Sequence, residues 1–173
     1  MKKVVFLLLV IVLLVLPVAA YAGSPHESVT GYFHYAPTGC EFEKFNSNNY
    51  FGRDCLDTGT YGPLGDFEGT STEVYDLVLH GANPAGSLPF YDFEKKGWYD
   101  GIVTFVGTVG GSDVGTMRIK YIGTSLAGEF VWSGTWRILG GEDGLEGIYG
   151  GGTWEGSDDP NFMVRLDGKV HFN

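Results

Sequence analysis

Apolar and polar residues alternate with a period of two through much of the chain. From Gly115 to Gly123, Met117, Ile119 and Tyr121 fall on one face, with Arg118 and Lys120 on the other. From Glu129 to Leu139, Phe130, Trp132, Trp136 and Ile138 share a face interrupted by Gly134, while Glu129, Ser133, Thr135 and Arg137 share its reverse. Phe162, Val164, Leu166, Val170 and Phe172 alternate with Met163, Arg165, Asp167 and Lys169. Such alternation marks antiparallel strands with one buried face. Val29–Ala36, Phe67–His80, Tyr99–Val109 and Gly147–Glu155 add further strands, for about seven or eight in all. No segment after residue 22 keeps a helical period with caps.

The connectors are short and rich in turn residues: Gly110-Gly111-Ser112-Asp113, Ser125-Leu126-Ala127-Gly128, Gly140-Gly141-Glu142-Asp143-Gly144 and Ser157-Asp158-Asp159-Pro160. They suit hairpins, so the chain from Tyr99 onward reads as a meander of five strands. Gly81–Trp98 differs: Asn83-Pro84, Gly86, Pro89 and Lys95-Lys96-Gly97 predict a long loop, the kind that carries function or mobility. A continuous antiparallel meander closes most simply into an up-and-down β-barrel, which removes its edges. A two-layer β-sandwich is the alternative.

The first 22 residues belong to another pattern. Met1-Lys2-Lys3 precedes an apolar run from Val4 to Ala20, then Ala20-Tyr21-Ala22 and the polar Gly23-Ser24-Pro25-His26-Glu27. This is the order of a secretory signal peptide, cleaved after Ala22, with residues 23–173 forming one domain. The alternative is an uncleaved anchor, because a spanning helix needs about 20 apolar residues. No Cys lies near the site, which argues against a lipoprotein anchor.

Composition sharpens this picture. The 28 Gly punctuate apolar runs without forming tracts, and 10 Tyr, 12 Phe and 4 Trp suit half-buried pleated surfaces. A formal charge of −10 argues against nucleic acid and anionic membranes as partners, which bind through clustered Lys and Arg. Lys2 and Lys3 leave with the signal, so the mature chain is more acidic still. Cys40 and Cys55 form the sole cysteine pair, predicting a disulfide in an oxidising compartment, secreted or in the cell envelope. It would staple the segment 40–55, whose Asn46-Ser47-Asn48-Asn49 reads as loose.

Little in the chain announces chemistry. Gly123-Thr124-Ser125-Leu126 nearly spells a nucleophile elbow, but Ala127 fills the last position and no helix follows. No glycine-rich stretch opens a helix to cradle phosphate, so no cofactor is implied. His26, His34, His80 and His171 lack metal-ligand spacing, though three of them could meet across a barrel. Glu142-Asp143 and Asp158-Asp159 sit in turns without a Ca²⁺-loop pattern. Glu73 and Asp76 fall on opposite faces of one strand, and an inward carboxylate would be the first candidate for a general acid or base. Ser133-Gly134-Thr135-Trp136-Arg137 echoes as Gly151-Gly152-Thr153-Trp154-Glu155. The echo suits either paired aromatic platforms for a ligand or cross-strand packing with glycines at tight curvature.

Several stretches follow a recognisable order: Tyr99–Gly111, Gly115-Thr116-Met117, Phe130–Trp136 and Gly144–Trp154, with Phe67–Tyr75 as an earlier strand. From Asp66 to Phe172 the chain resembles bacterial proteins grouped with the allene oxide cyclase barrel, to which dirigent proteins are related. The cysteine segment 40–55 lies outside the resemblance. It implies an eight-stranded antiparallel barrel with a central cavity, which in plant allene oxide cyclases binds a fatty-acid epoxide and in dirigent proteins steers phenoxy-radical coupling. No cyclase motif can be placed residue by residue, so catalytic and ligand-binding residues stay unassigned. Three functions remain: a barrel holding a small apolar or aromatic ligand, an isomerase or cyclase, and an envelope module whose interior is fully packed.

Overall fold

The alternation resolves into eight antiparallel strands that follow one another around a ring. The computed structural model describes residues 26–46, 49–81, 96–126, 131–157 and 163–173. The strands are β1 (Glu27–Asn46), β2 (Asn49–Tyr61), β3 (Phe67–His80), β4 (Lys96–Val109), β5 (Gly115–Leu126), β6 (Val131–Asp143), β7 (Ile148–Ser157) and β8 (Met163–Phe172). Each pairs with the next, and β1 pairs with β8, so the sheet closes into a barrel without edges. No helix among the described residues is long and apolar enough to cross a membrane. The signal segment, the turns at 127–128 and 158–160, Phe130 and Phe162 lie outside the described residues.

The segment between the cysteines departs most from the sequence reading. It is not a stapled loop: β1 and β2 run through it as a long hairpin, with Asn46 opposite Asn49. Register shifts between Pro37 and Gly39, Gly39 and Glu41, and Gly52 and Cys55 break the period of two that would have carried β1 beyond Ala36 and revealed β2. At the last shift Asp54 adopts a left-handed φ of 48°, and its N–H donates to Asp76 Oδ1 at 3.1 Å. Cys40 and Cys55 are disulfide-bonded beside this bulge, their Cα atoms 4.2 Å apart. The interval Gly81–Trp98 is also shorter than expected. Strand β4 starts at Lys96, where Gly97 and Trp98 pair with Ser125 and Thr124; residues 82–95 lie outside the described ones.

One half of the interior is packed solid. At the end carrying the β2–β3, β4–β5 and β6–β7 turns, Phe67, Phe105, Met117, Ile119, Trp136 and Leu166 are fully buried. Phe67 meets Phe105 and Trp136 edge to face, at 6.1 and 6.0 Å between centroids. Leu145, buried from the β6–β7 turn, plugs this end. Eight strands leave an interior that side chains can fill, and here half of it is filled.

Gly168 and Gly123 make room for the indoles of the repeated Gly-Thr-Trp element, since a Cβ on the first would collide with Trp136 Cζ2 and on the second with Trp154 Cζ2. Across β6 and β7, Trp136 faces Gly152 and Gly134 faces Trp154, each tryptophan opposite the other copy's glycine. The Trp136 N–H reaches the carbonyls of Thr153 (3.1 Å) and Asp167 (3.3 Å), and the Trp154 N–H reaches that of Ile122 (3.2 Å). A Cβ on Gly152 would collide with the Asp167 carbonyl and lie 2.6 Å from Gly168 Cα. Gly152→Ala is therefore expected to lower unfolding stability by about 1–3 kcal/mol. Gly39→Ala, whose added Cβ would meet nothing within 4 Å, serves as the control. Urea denaturation of both variants decides it; equal midpoints would show that the close approach is not limiting.

Candidate functional site

The other half of the interior is polar where a barrel core should be apolar. Beyond the bulge, β2 turns Cys55, Asp57 and Tyr61 inward, and β3 turns Ser71, Glu73, Tyr75 and Leu77 inward. Asp57 and Glu73 face each other directly across the β2–β3 ladder, only 7% and 8% exposed. Directly opposed like charges are unfavourable in a sheet, and burial makes them more so.

Each acid has a phenol partner. Tyr75 donates its O–H to Asp57 Oδ1 at 3.1 Å, and Tyr99 donates to Glu73 Oε1. Gly101, on β4 opposite Tyr75, makes space for this arrangement, because a Cβ there would collide with Glu73 Oε1 and crowd the Tyr99 hydroxyl. The Tyr75 and Tyr99 rings stack with centroids 5.1 Å apart, which fixes both hydroxyls. Deeper in, the hydroxyls of Tyr61 and Tyr121 influence each other's ionisation, yet neither completes a hydrogen bond of ordinary geometry.

Burial pushes Glu73 up to about 8, reinforced by the Asp57 charge and opposed by the Tyr99 hydrogen bond. Asp57 is pushed up to about 6, again by burial, with the Tyr75 hydrogen bond pulling the other way. Burial also raises Tyr75, Tyr99 and Tyr121, with the neighbouring acids adding to it for each, so the phenols remain proton donors. Near neutral pH the pair therefore holds one proton that an exposed pair would have released, favouring a carboxylic acid at Glu73 beside a carboxylate at Asp57.

Above the pair is a cavity of about 70 Å³. Its walls are largely aromatic: Phe33, Tyr35, Tyr99, Tyr121, Trp132 and Trp154, with Leu77 and Val164. Tyr99 meets Trp132 and Trp154 edge to face at 6.3 and 5.6 Å, and Tyr121 meets Trp154 at 6.1 Å. No Lys, Arg or His stands among the described residues lining it. Pockets that hold drug-sized ligands measure about 300–1,000 Å³. This space fits a few waters or the small end of a ligand.

Of the residues marked in the sequence, Glu73 points inward and Asp76 points outward, where it holds the bulge at Asp54. The two halves of the aromatic echo separate: Trp154 lines the cavity, while Trp136 belongs to the filled core. The histidines do not converge on the interior. His34 is exposed, His80 pairs with Asn49 Oδ1 at 3.0 Å, and His26 and His171 touch at 4.5 Å beside Tyr149. Among the described residues no group of three or more His, Cys, Asp or Glu is placed to hold a metal. Glu142 and Asp143 end β6 at its turn, and Ser125 lies within β5 with no elbow. Sequence reasoning missed Asp57 and the tyrosines, although Cys55, Asp57, Gly59 and Tyr61 alternate once the bulge at Asp54 is known.

No protein-family model and no curated protein sequence matches the chain. Among solved structures it is similar to a protein with unknown function from the DUF3224 family of Shewanella oneidensis MR-1. The TM-score is 0.61 at 18% identity, over 86% of this chain and 98% of that one. At that identity the likeness concerns the fold alone.

Proposed function

We propose that this protein is an exported barrel that takes a small apolar or aromatic ligand into the cavity above Asp57 and Glu73. The observation that carries this reading is the buried, directly opposed acid pair inside an aromatic wall. A barrel of this size can fill itself with apolar side chains, and the opposite half does so. Keeping two buried, directly opposed acids in the remaining half costs stability, which is the pattern of a site retained for use. Export is supported by the signal-like leader, and the Cys40–Cys55 disulfide is compatible with an extracytoplasmic home. The resemblance to the allene oxide cyclase barrel supports a cavity-based role. Its fatty-acid chemistry is not carried over, because the acids oppose an anionic head group.

The test reads the tryptophans in the wall. Small neutral aromatics such as benzyl alcohol and phenol should shift the fluorescence of Trp132 and Trp154 saturably, and Trp154→Phe should remove part of that signal. Mass spectrometry of molecules co-purifying with the exported protein provides a second readout. No saturable shift, and no ligand in lipid or phenolic extracts, would leave the reading without support.

An isomerase or cyclase is the second reading, favoured by one observation. Asp57 and Glu73 lie side by side with values near 6 and near 8, so one can take a proton while the other gives one. On that reading Asp57→Asn and Glu73→Gln each abolish turnover of a bound ligand, a loss far larger than any change in its binding.

A further inference from the structure

We propose that the ligand taken by this cavity carries an organic ammonium group, and that its charged end docks between Asp57 and Glu73, walled by Tyr99, Tyr121, Trp132 and Trp154. The inference rests on the ligand-binding reading above and names the ligand's chemistry.

Three features on the wall and floor converge. First, no cation stands among the described residues lining the cavity, and the groups coupled to Glu73 are Asp57 and Tyr61 on β2, Tyr75 on β3, Tyr99 on β4 and Tyr121 on β5. Each is an acid or a neutral hydroxyl. Second, the walls present aromatic faces and edges around a small volume, and aromatic faces attract ammonium ions through their quadrupoles. Third, the Tyr121 hydroxyl, 3% exposed on the cavity wall, is coupled to the Tyr61 hydroxyl without completing a hydrogen bond of ordinary geometry, and its oxygen can accept one from an ammonium N–H. A neutral ligand would satisfy the hydroxyl but leave the acids uncompensated. An anion would add a like charge beside the Asp57 carboxylate. The protein's net charge of −10 also favours approach of a cation.

In the free protein the Glu73 proton stands where a cation would otherwise balance the pair. When an ammonium ion enters, the Glu73 carboxyl gives its proton to solvent and becomes the carboxylate that pairs with the cation. One positive charge replaces another, and no bond other than O–H breaks. Binding is therefore linked to proton release, and affinity rises with pH while Glu73 is protonated in the free protein.

Benzylammonium and benzyl alcohol form the test pair, since they share a ring and differ in charge. Both are titrated into the intact disulfide-bonded protein at pH 6, 7 and 8, followed by tryptophan fluorescence and calorimetry. The expected result is tighter binding of benzylammonium than of benzyl alcohol, with Kd falling on the order of tenfold per pH unit. Glu73→Gln should flatten that pH dependence and weaken benzylammonium at pH 8 by more than it changes the binding of benzyl alcohol. Equal, pH-independent binding of the two probes would overturn the ammonium proposal while sparing the ligand-binding reading. Binding of neither would overturn both. If Glu73→Gln fails to fold, the pH series on the parent chain and an Asp57→Asn variant decide the question alone.

Discussion

Glu73→Gln is expected to make the barrel more stable than the parent at pH 8 and to remove much of the parent's loss of stability between pH 5 and pH 8. In the folded protein Glu73 keeps its proton up to about 8, while an unfolded glutamate releases it near the ordinary value of 4.5. Between those values the native state binds more protons than the unfolded chain. Stability conferred by the protonated form is therefore complete at low pH and is lost as pH rises. The slope is about 1.4 kcal/mol per pH unit for one proton. Asp57, raised from 3.8 to about 6, adds a second contribution of the same sign over the lower part of the window. Glutamine imitates the protonated acid, still accepts the Tyr99 hydrogen bond, and has no charge to bury. Urea midpoints at pH 5, 6.5 and 8 measure the effect. A parent protein whose stability is flat or rising over that range would mean that the pair is not buried as described.

Reducing the Cys40–Cys55 disulfide is expected to cost on the order of 3 kcal/mol, from the 15-residue separation that the bridge closes in the unfolded chain. The loss should be uneven. Residues between the cysteines form the far part of the β1–β2 hairpin, beyond the register shifts at Gly39 and Gly52. Amide exchange should accelerate first there, while Val103, Ile119 and Leu166 in the packed half stay protected. Denaturation with and without reductant gives the magnitude, and exchange gives the location. An unchanged midpoint after complete reduction would show that the bulge, held through Asp54 and Asp76, suffices without the bridge.

Fold class was legible because most strands obey one period. Met117, Ile119 and Tyr121 are buried while Arg118 is exposed, and Val164, Leu166 and Val170 repeat the pattern on β8. Phe67–His80 has the same bounds in sequence and structure. Strand β2 was illegible for a local reason: one extra residue at the bulge inverts the inside and outside of everything after it. Asp57 disappeared with that strand, and with it half of the acid pair. Glu73 could be marked as a candidate, but its partner depended on the register between β2 and β3. Register is a long-range property, and alternation on one strand does not carry it. The tyrosines were hidden differently, since an inward Tyr looks like any core aromatic until an acid stands beside its hydroxyl.

The seam between β1 and β8 has a temporal meaning. Every other pairing joins strands adjacent in the chain, so seven hairpins can form locally, whereas Glu27 must find Val170 across the whole domain. Such a closure comes with the largest loop entropy and sets the pace of folding. Until the ring closes, water reaches the inner face of β2 and β3, and the two acids titrate as ordinary carboxyls. At neutral pH the last step of folding therefore takes a proton from solution, and that uptake marks the moment the barrel shuts.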